Sequence, residues 1–137
     1  MPKFTPNPPA EETAILELTK PLAGRLPSAY LKDMTLANGG EGFVGKRFVS
    51  LWRIEELSQL NQDYEIAENA PDLFLIGSNG GGEGYAFNLT KADGAVYRVP
   101  FIGMQTSEAQ LVAENFGRFL PAVNLTQGQA IEPNDVS

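Results

Sequence analysis

The sequence predicts an α+β domain: an antiparallel twisted sheet of about five or six strands, with helices from both chain ends packed against it. Three observations carry this. Apolar residues recur at helical spacing near the two ends of the chain, while the middle holds short apolar runs of strand length. The middle runs meet at tight turns such as Gly45-Lys46 and Asp93-Gly94, which join antiparallel neighbours and leave no length for crossover helices. At 137 residues the chain suits a single domain over 1–137, with a core over about 8–120, large enough to need no staples.

Taken in order, Asn7-Pro8-Pro9 reads as a helix entry, with Asn as cap and Pro in the first turn, where its missing N–H is not needed. The helix runs to about residue 19, Ile15 and Leu18 facing inward, and Pro21 stops it. Leu26-Pro27 opens a second helix whose Tyr30, Leu31 and Met34 share a face, and Asn38-Gly39-Gly40 ends it. Phe43-Val44 and Phe48 to Trp52 read as strands. Ile54, Leu57 and Leu60 mark a short third helix ending near Asn61, and 62–72 reads as an exposed acidic loop. Leu73 to Ile76 is a buried strand, the glycine run that follows is a turn, and Glu83 to Leu89 is its partner, followed by Val96 to Val99. A last helix is expected from Thr106 or Ser107, where Ser107 and Gln110 have capping-box spacing, with Val112, Phe116 and Phe119 inward. Beyond Pro121 periodicity is lost, so 121–137 reads as a flexible tail.

Composition removes several function classes. There is no cysteine and no histidine, which excludes disulfides, thiolate and imidazole chemistry and the usual zinc sites. No cofactor or metal is expected. No signal-like or membrane-length apolar segment is present, so a soluble cytoplasmic protein is expected. The net charge is −7, and its placement says more than its size. No Lys or Arg lies between Arg53 and Lys91, where Glu55, Glu56, Asp63, Glu65, Glu68, Asp72 and Glu83 all fall. Those acids equal the whole net charge. Such a block disfavours nucleic acid and anionic membrane and favours a basic protein partner, although an acidic face can also serve solubility alone.

The glycine run Gly77-Ser78-Asn79-Gly80-Gly81-Gly82-Glu83-Gly84 invites a phosphate-loop reading. It lacks the Gly-Lys-Ser/Thr ending, Glu83 directly follows its three consecutive glycines, and it joins strands instead of opening a helix, so a sheet turn is the better reading. Glu55 and Glu56 are sequence neighbours that diverge by about 100° on a helix and cannot share a substrate atom. Residues 63–72 lack the ligand alternation of a calcium loop. Tyr30 and Trp52 follow the inward periodicity of their elements and read as structural. Tyr64, set among Asp63, Glu65 and Glu68, reads either as an exposed interface anchor or as a ring folded back on the sheet.

In order and spacing, Leu26-Pro27-Ser28-Ala29-Tyr30, Asn38-Gly39-Gly40, Leu51-Trp52, the glycine run with Tyr85-Ala86-Phe87, and Phe116-Gly117-Arg118-Phe119-Leu120 resemble the SUKH superfamily. That superfamily groups bacterial toxin-immunity proteins with Syd and a fungal cell-wall-synthesis regulator. The resemblance spans roughly residues 14 to 120 and implies an α+β binding protein, not an enzyme. A glycine-rich turn with an acidic residue marks the same place in the family, which keeps Glu83 among the contact candidates. The resemblance implies an immunity protein that covers a toxin domain, or alternatively a regulatory or scaffolding module. Many such toxins are nucleases, basic where they meet phosphate, so an acidic block suits their inhibition. The expected contacts are Glu55, Glu56, Asp63, Tyr64, Glu65, Glu68, Asp72 and Glu83, with Tyr64 as the anchor.

Overall fold

The computed structural model describes residues 3–22, 24–91 and 93–129. Seven strands form one antiparallel sheet in strict sequence order, β1 (Thr5–Pro6), β2 (Gly40–Val44), β3 (Arg47–Leu51), β4 (Leu73–Ser78), β5 (Glu83–Asn88), β6 (Val96–Pro100) and β7 (Gln110–Ala113). The α+β class and the antiparallel sheet are as the sequence predicts; the strand count is higher. The two additional strands lie at the edges. β1 is a two-residue segment of the proline-rich start, too short to show periodicity, which pairs with Gly40 and Glu41. β7 lies where a helix was expected.

Helices α1 (Glu12–Thr19), α2 (Ser28–Met34), α3 (Ile54–Asp63), α4 (Ile66–Asn69) and α5 (Phe119–Gln129) complete the fold. Ile15 and Leu18 of α1, Tyr30 and Met34 of α2, and Phe119 and Val123 of α5 join Val49, Leu51, Phe74, Ile76, Tyr85 and Phe87 in the main core on one sheet face. Period-two alternation sends Leu73, Leu75, Ala86 and Val99 to the opposite face, where Ile66, Ala70 and Met104 close a second, smaller core.

Four boundaries differ from expectation, each for a local reason. First, α1 begins at Glu12, because the segment before it pairs with the end of α2 and the chain beyond: Asn7 N donates to Gly39 O and Ala10 N to Met34 O, both at 2.9 Å, and Asn7 Nδ2 donates to the Asn38 carbonyl at 3.0 Å. Second, α2 ends at Met34, four residues before Asn38-Gly39-Gly40, whose backbone instead leads into β2. Asn38 is buried and caps a different helix: Ile54 N donates to its Oδ1 at 2.8 Å at the start of α3. Third, the acidic stretch 62–72 is not a plain loop, since α3 continues to Asp63 and α4 follows. Fourth, the helix expected from Thr106 or Ser107 is a single 3₁₀ turn at Thr106–Glu108, followed by β7 and a second 3₁₀ turn at Phe116–Arg118. There the strand ladder to β6 outweighs helix-like spacing, and Asn115 starts the next turn by accepting from Arg118 N at 3.1 Å.

Past Pro121, where the sequence loses periodicity, the chain continues in α5. Pro121 is tolerated because it sits in the first turn, where no intrahelical N–H is required. Val123 is buried in the main core, and residues 130–137 of the expected tail lie outside the described residues.

Candidate partner-binding surface

The glycine run is a strand-to-strand turn joining β4 to β5, as expected. Three of its amides are already engaged by its own side chains. Asn79 Oδ1 accepts from Gly81 N at 2.8 Å and Glu83 N at 3.2 Å, and Ser78 Oγ accepts from Gly80 N at 3.3 Å. A turn whose donors are taken up by its own side chains offers little to an anion. Gly84 makes room for packing instead. A Cβ there would meet the Phe101 ring at 2.7 Å, so the missing side chain lets that ring lie on the smaller-core face.

Phe101 is the end of an aromatic row. Its ring stacks on Tyr64 at 4.1 Å between centroids and 16° between planes, and Tyr64 in turn lies parallel to Trp52 at 6.0 Å and 6°. The three rings come from different elements: Trp52 follows β3, Tyr64 ends α3 and Phe101 follows β6. Of the two readings of Tyr64, the ring therefore lies folded on the sheet, yet the residue stays only half-buried. Trp52 is half-buried too. Beside Phe101, Ile102 projects from a turn at 93 % exposure.

The acids form two groups and two single residues. Glu55 and Glu56 occupy the first turn of α3, where negative charge suits the helix dipole. Both also serve as hydrogen-bond acceptors at that turn: Glu55 Oε1 accepts from Asn38 Nδ2 at 2.8 Å, and Glu56 Oε1 accepts from Arg53 N at 3.2 Å. The Asn38 hydrogen bond, with Glu55's own backbone and the Arg53 charge, holds the Glu55 carboxyl below the ordinary glutamate range against the opposing effect of burial. Asp63, Glu65 and Glu68 form the second group, all exposed around Tyr64 where α3 passes into α4. Gln59 Nε2 donates to Asp63 Oδ1 at 2.9 Å. Glu65 takes a left-handed conformation, φ 54° and ψ 43°, that turns the chain between the helices. Asp72, half-buried, leads into β4.

Glu83 stands apart. It sits two residues before Tyr85 and so on the main-core face. There its Oε2 lies 3.4 Å from Arg98 Nε, and its Oε1 accepts from Asn79 Nδ2 at 2.9 Å. The charge that looks uncompensated along the sequence is matched across the sheet. The structure thus brings Asp63, Tyr64, Glu65 and Glu68 together, places Glu55 and Glu56 at the far end of α3, about 12 Å away by helical rise, and sets Glu83 elsewhere.

Sequence reasoning missed Phe101, Ile102 and Glu41. Glu41 sits on β2 opposite Ser50, whose hydroxyl donates to it at 3.4 Å, so it reaches the Trp52 neighbourhood only through strand pairing. Among the described residues no group of three or more acids could hold a metal ion. Among the described residues, a concavity of about 460 Å³ between α2 and the β5–β6 turn carries one acid, Asp93, and no convergent carboxylates. Among the described residues no helix is long and apolar enough to cross a membrane.

An α+β meander with its main helices on one face, a glycine turn, and an aromatic row bordered by acids describes a binding surface more than a catalytic centre. The chain matches the SMI1 / KNR4 family (SUKH-1) over residues 9–122 and belongs to that family. Comparison with curated proteins finds no match. Membership fits roles of the immunity-protein or regulator type, in a family that is generally non-enzymatic.

Proposed function

We propose that this protein is a non-enzymatic, cytoplasmic immunity protein that binds and neutralises a basic toxin domain through the surface centred on Tyr64. The observation that carries the reading is the joining of Tyr64, stacked between Trp52 and Phe101, to three exposed acids, Asp63, Glu65 and Glu68. Rings held by stacking lose little entropy on binding and can anchor an interface, while rim carboxylates steer a positively charged partner and fix its orientation. Glu55, Glu56 and Asp72 extend the negative field along α3 and into β4. Glu83, matched by Arg98, contributes less charge and would act through hydrogen bonding.

The family fits a regulator as well as an immunity role, and a regulator would use the same surface for a different partner. Affinity capture from the protein's own cells, with peptide identification of what is retained, separates the two. A basic toxin domain whose lethality is suppressed by co-expression of this chain is the expected result. Recovery of a cell-wall-synthesis protein instead, with no protection against any encoded toxin, would replace the immunity reading with the regulatory one.

A further inference from the structure

Among the described residues, the sheet face that carries Trp52 is not evenly covered. Ile66 of α4, the following Ala70 and the Phe101 to Met104 segment close it over β4 to β6, whereas α5, with Phe119 and Val123 in the main core, packs on β2 and β3 from the opposite side. Over β1 to β3 the Trp52 face holds an open groove of about 460 Å³, lined by Thr5, Glu41, Ser50, Trp52, Arg53 and Glu56 among others. Its chemistry is uneven in a useful way. Its lining includes two acids and one arginine, and the Arg53 charge is also felt at Glu55. Among the described residues neither Glu41 nor Glu56 takes part in an ion pair. Trp52 lines the groove while its ring is held parallel to Tyr64, so the indole is oriented before anything binds.

We propose that this groove receives an arginine side chain of the protein partner, its guanidinium lying over the Trp52 indole and hydrogen-bonding to the Glu41 and Glu56 carboxylates. Indole is the strongest of the aromatic faces for a cation, and guanidinium is flat, weakly hydrated and rich in donors, so it can stack and bond to carboxylates at once. Lysine could satisfy the charge but not the stacking. The Ser50 and Thr5 hydroxyls supply further acceptors along the wall. This rests on the protein-binding reading above and adds to it the residue chemistry that the partner must present. It also extends the interface across Trp52, from the α3–α4 acids to the open strands.

Trp52 is the single tryptophan in the sequence, so its fluorescence reports this groove directly. The test titrates the whole protein with acetyl-Gly-Arg-Gly-Arg-Gly-amide and with the peptide carrying citrulline in place of arginine, which keeps the shape and removes the charge. A saturable change with the arginine peptide, at least about tenfold weaker with citrulline, is expected. Glu41→Gln with Glu56→Gln should weaken the arginine peptide by at least about tenfold, with the fold checked by circular dichroism; glutamine at 56 keeps an acceptor for Arg53 N. An unsaturable signal, equal binding of citrulline, or indifference to the double substitution would overturn the proposal. With a captured partner, slowing by reversal of Asp63, Glu65 and Glu68 but none by the groove variants would sink the groove and leave the protein-binding reading standing; no effect of either would sink both.

Discussion

Asn61 pairs with Leu75 as a strand would. Its Oδ1 accepts from Leu75 N at 2.8 Å and its Nδ2 donates to Leu75 O at 3.0 Å. β3 ends at Leu51 and pairs with β4 only at Gly77 and Ser78, so the edge of β4 at Leu75 would otherwise be left open inside the protein. One side-chain amide on α3 replaces the missing strand, and a second bond from Asn61 Nδ2 to Leu57 O, at 2.8 Å, holds it in place. The pairing fixes α3 against the sheet and so sets where Tyr64, three residues on, can stack.

Replacing Asn61 by leucine keeps the volume and strips both partners from a buried backbone. An unsatisfied buried group costs about 1–3 kcal/mol, so Asn61→Leu should lose roughly 2–5 kcal/mol in denaturant unfolding. A loss under about 1 kcal/mol would show that the Leu75 backbone finds partners elsewhere.

The Asn38 to Glu55 hydrogen bond makes a pH prediction. Because it lowers the folded-state pKa of Glu55, its stabilisation is present above the unfolded value, about 4.3, and is lost as pH falls through the lower folded value. Glu55→Gln should therefore melt below wild type at neutral pH, with the gap shrinking as the solution is acidified below about pH 4. The side chain is exposed, so screening keeps the gap small. A gap that widens in acid would contradict the assignment.

How far the sequence could be read depended on the range of the causes. The inward stripes at Ile15 and Leu18 and at Tyr30 and Met34, the Gly45-Lys46 hairpin and the glycine turn are local, and all stood in the pattern. The cap on α3 comes from Asn38, sixteen residues before Ile54, and no local motif announces it. β7 was hidden because four residues that pair only with a distant strand have no period of their own. Within the candidate site, Asp63 to Glu68 was legible as acids around an aromatic ring. Phe101, Glu41 and the Arg98 partner of Glu83 come from strand register, which the sequence leaves open.

Tyr30 is 1 % exposed, its ring meets Phe87 and Phe116 edge to face at 5.1 and 5.0 Å, and its hydroxyl has no hydrogen-bond partner among the described residues. Burial raises its pKa, so it stays protonated at any working pH. Tyr30→Phe should keep the packing and remove an unpaired polar group, leaving stability unchanged or higher by up to about 1 kcal/mol. Destabilisation beyond about 1.5 kcal/mol would show that the hydroxyl is satisfied, for instance by a buried water.

Glu65 holds a left-handed backbone that glycine adopts without strain. Glu65→Gly should leave the melting temperature level or raise it, by an amount equivalent to at most about 1 kcal/mol, since relief of strain competes with greater freedom in the unfolded chain. A clear drop in stability would mean that the Glu65 side chain is needed for the fold and is not free for a partner.

The central claim is that the acids around Tyr64 steer a basic protein partner, and the association rate of the captured partner tests it most directly. Converting Asp63, Glu65 and Glu68 to lysine should slow association by at least about tenfold in low salt, with the deficit shrinking as salt is raised. Reversal at Glu11 and Glu12, exposed at the start of α1, should change it little. A triple variant that associates at the wild-type rate in low salt would contradict the account and leave the acidic face as a solubility device.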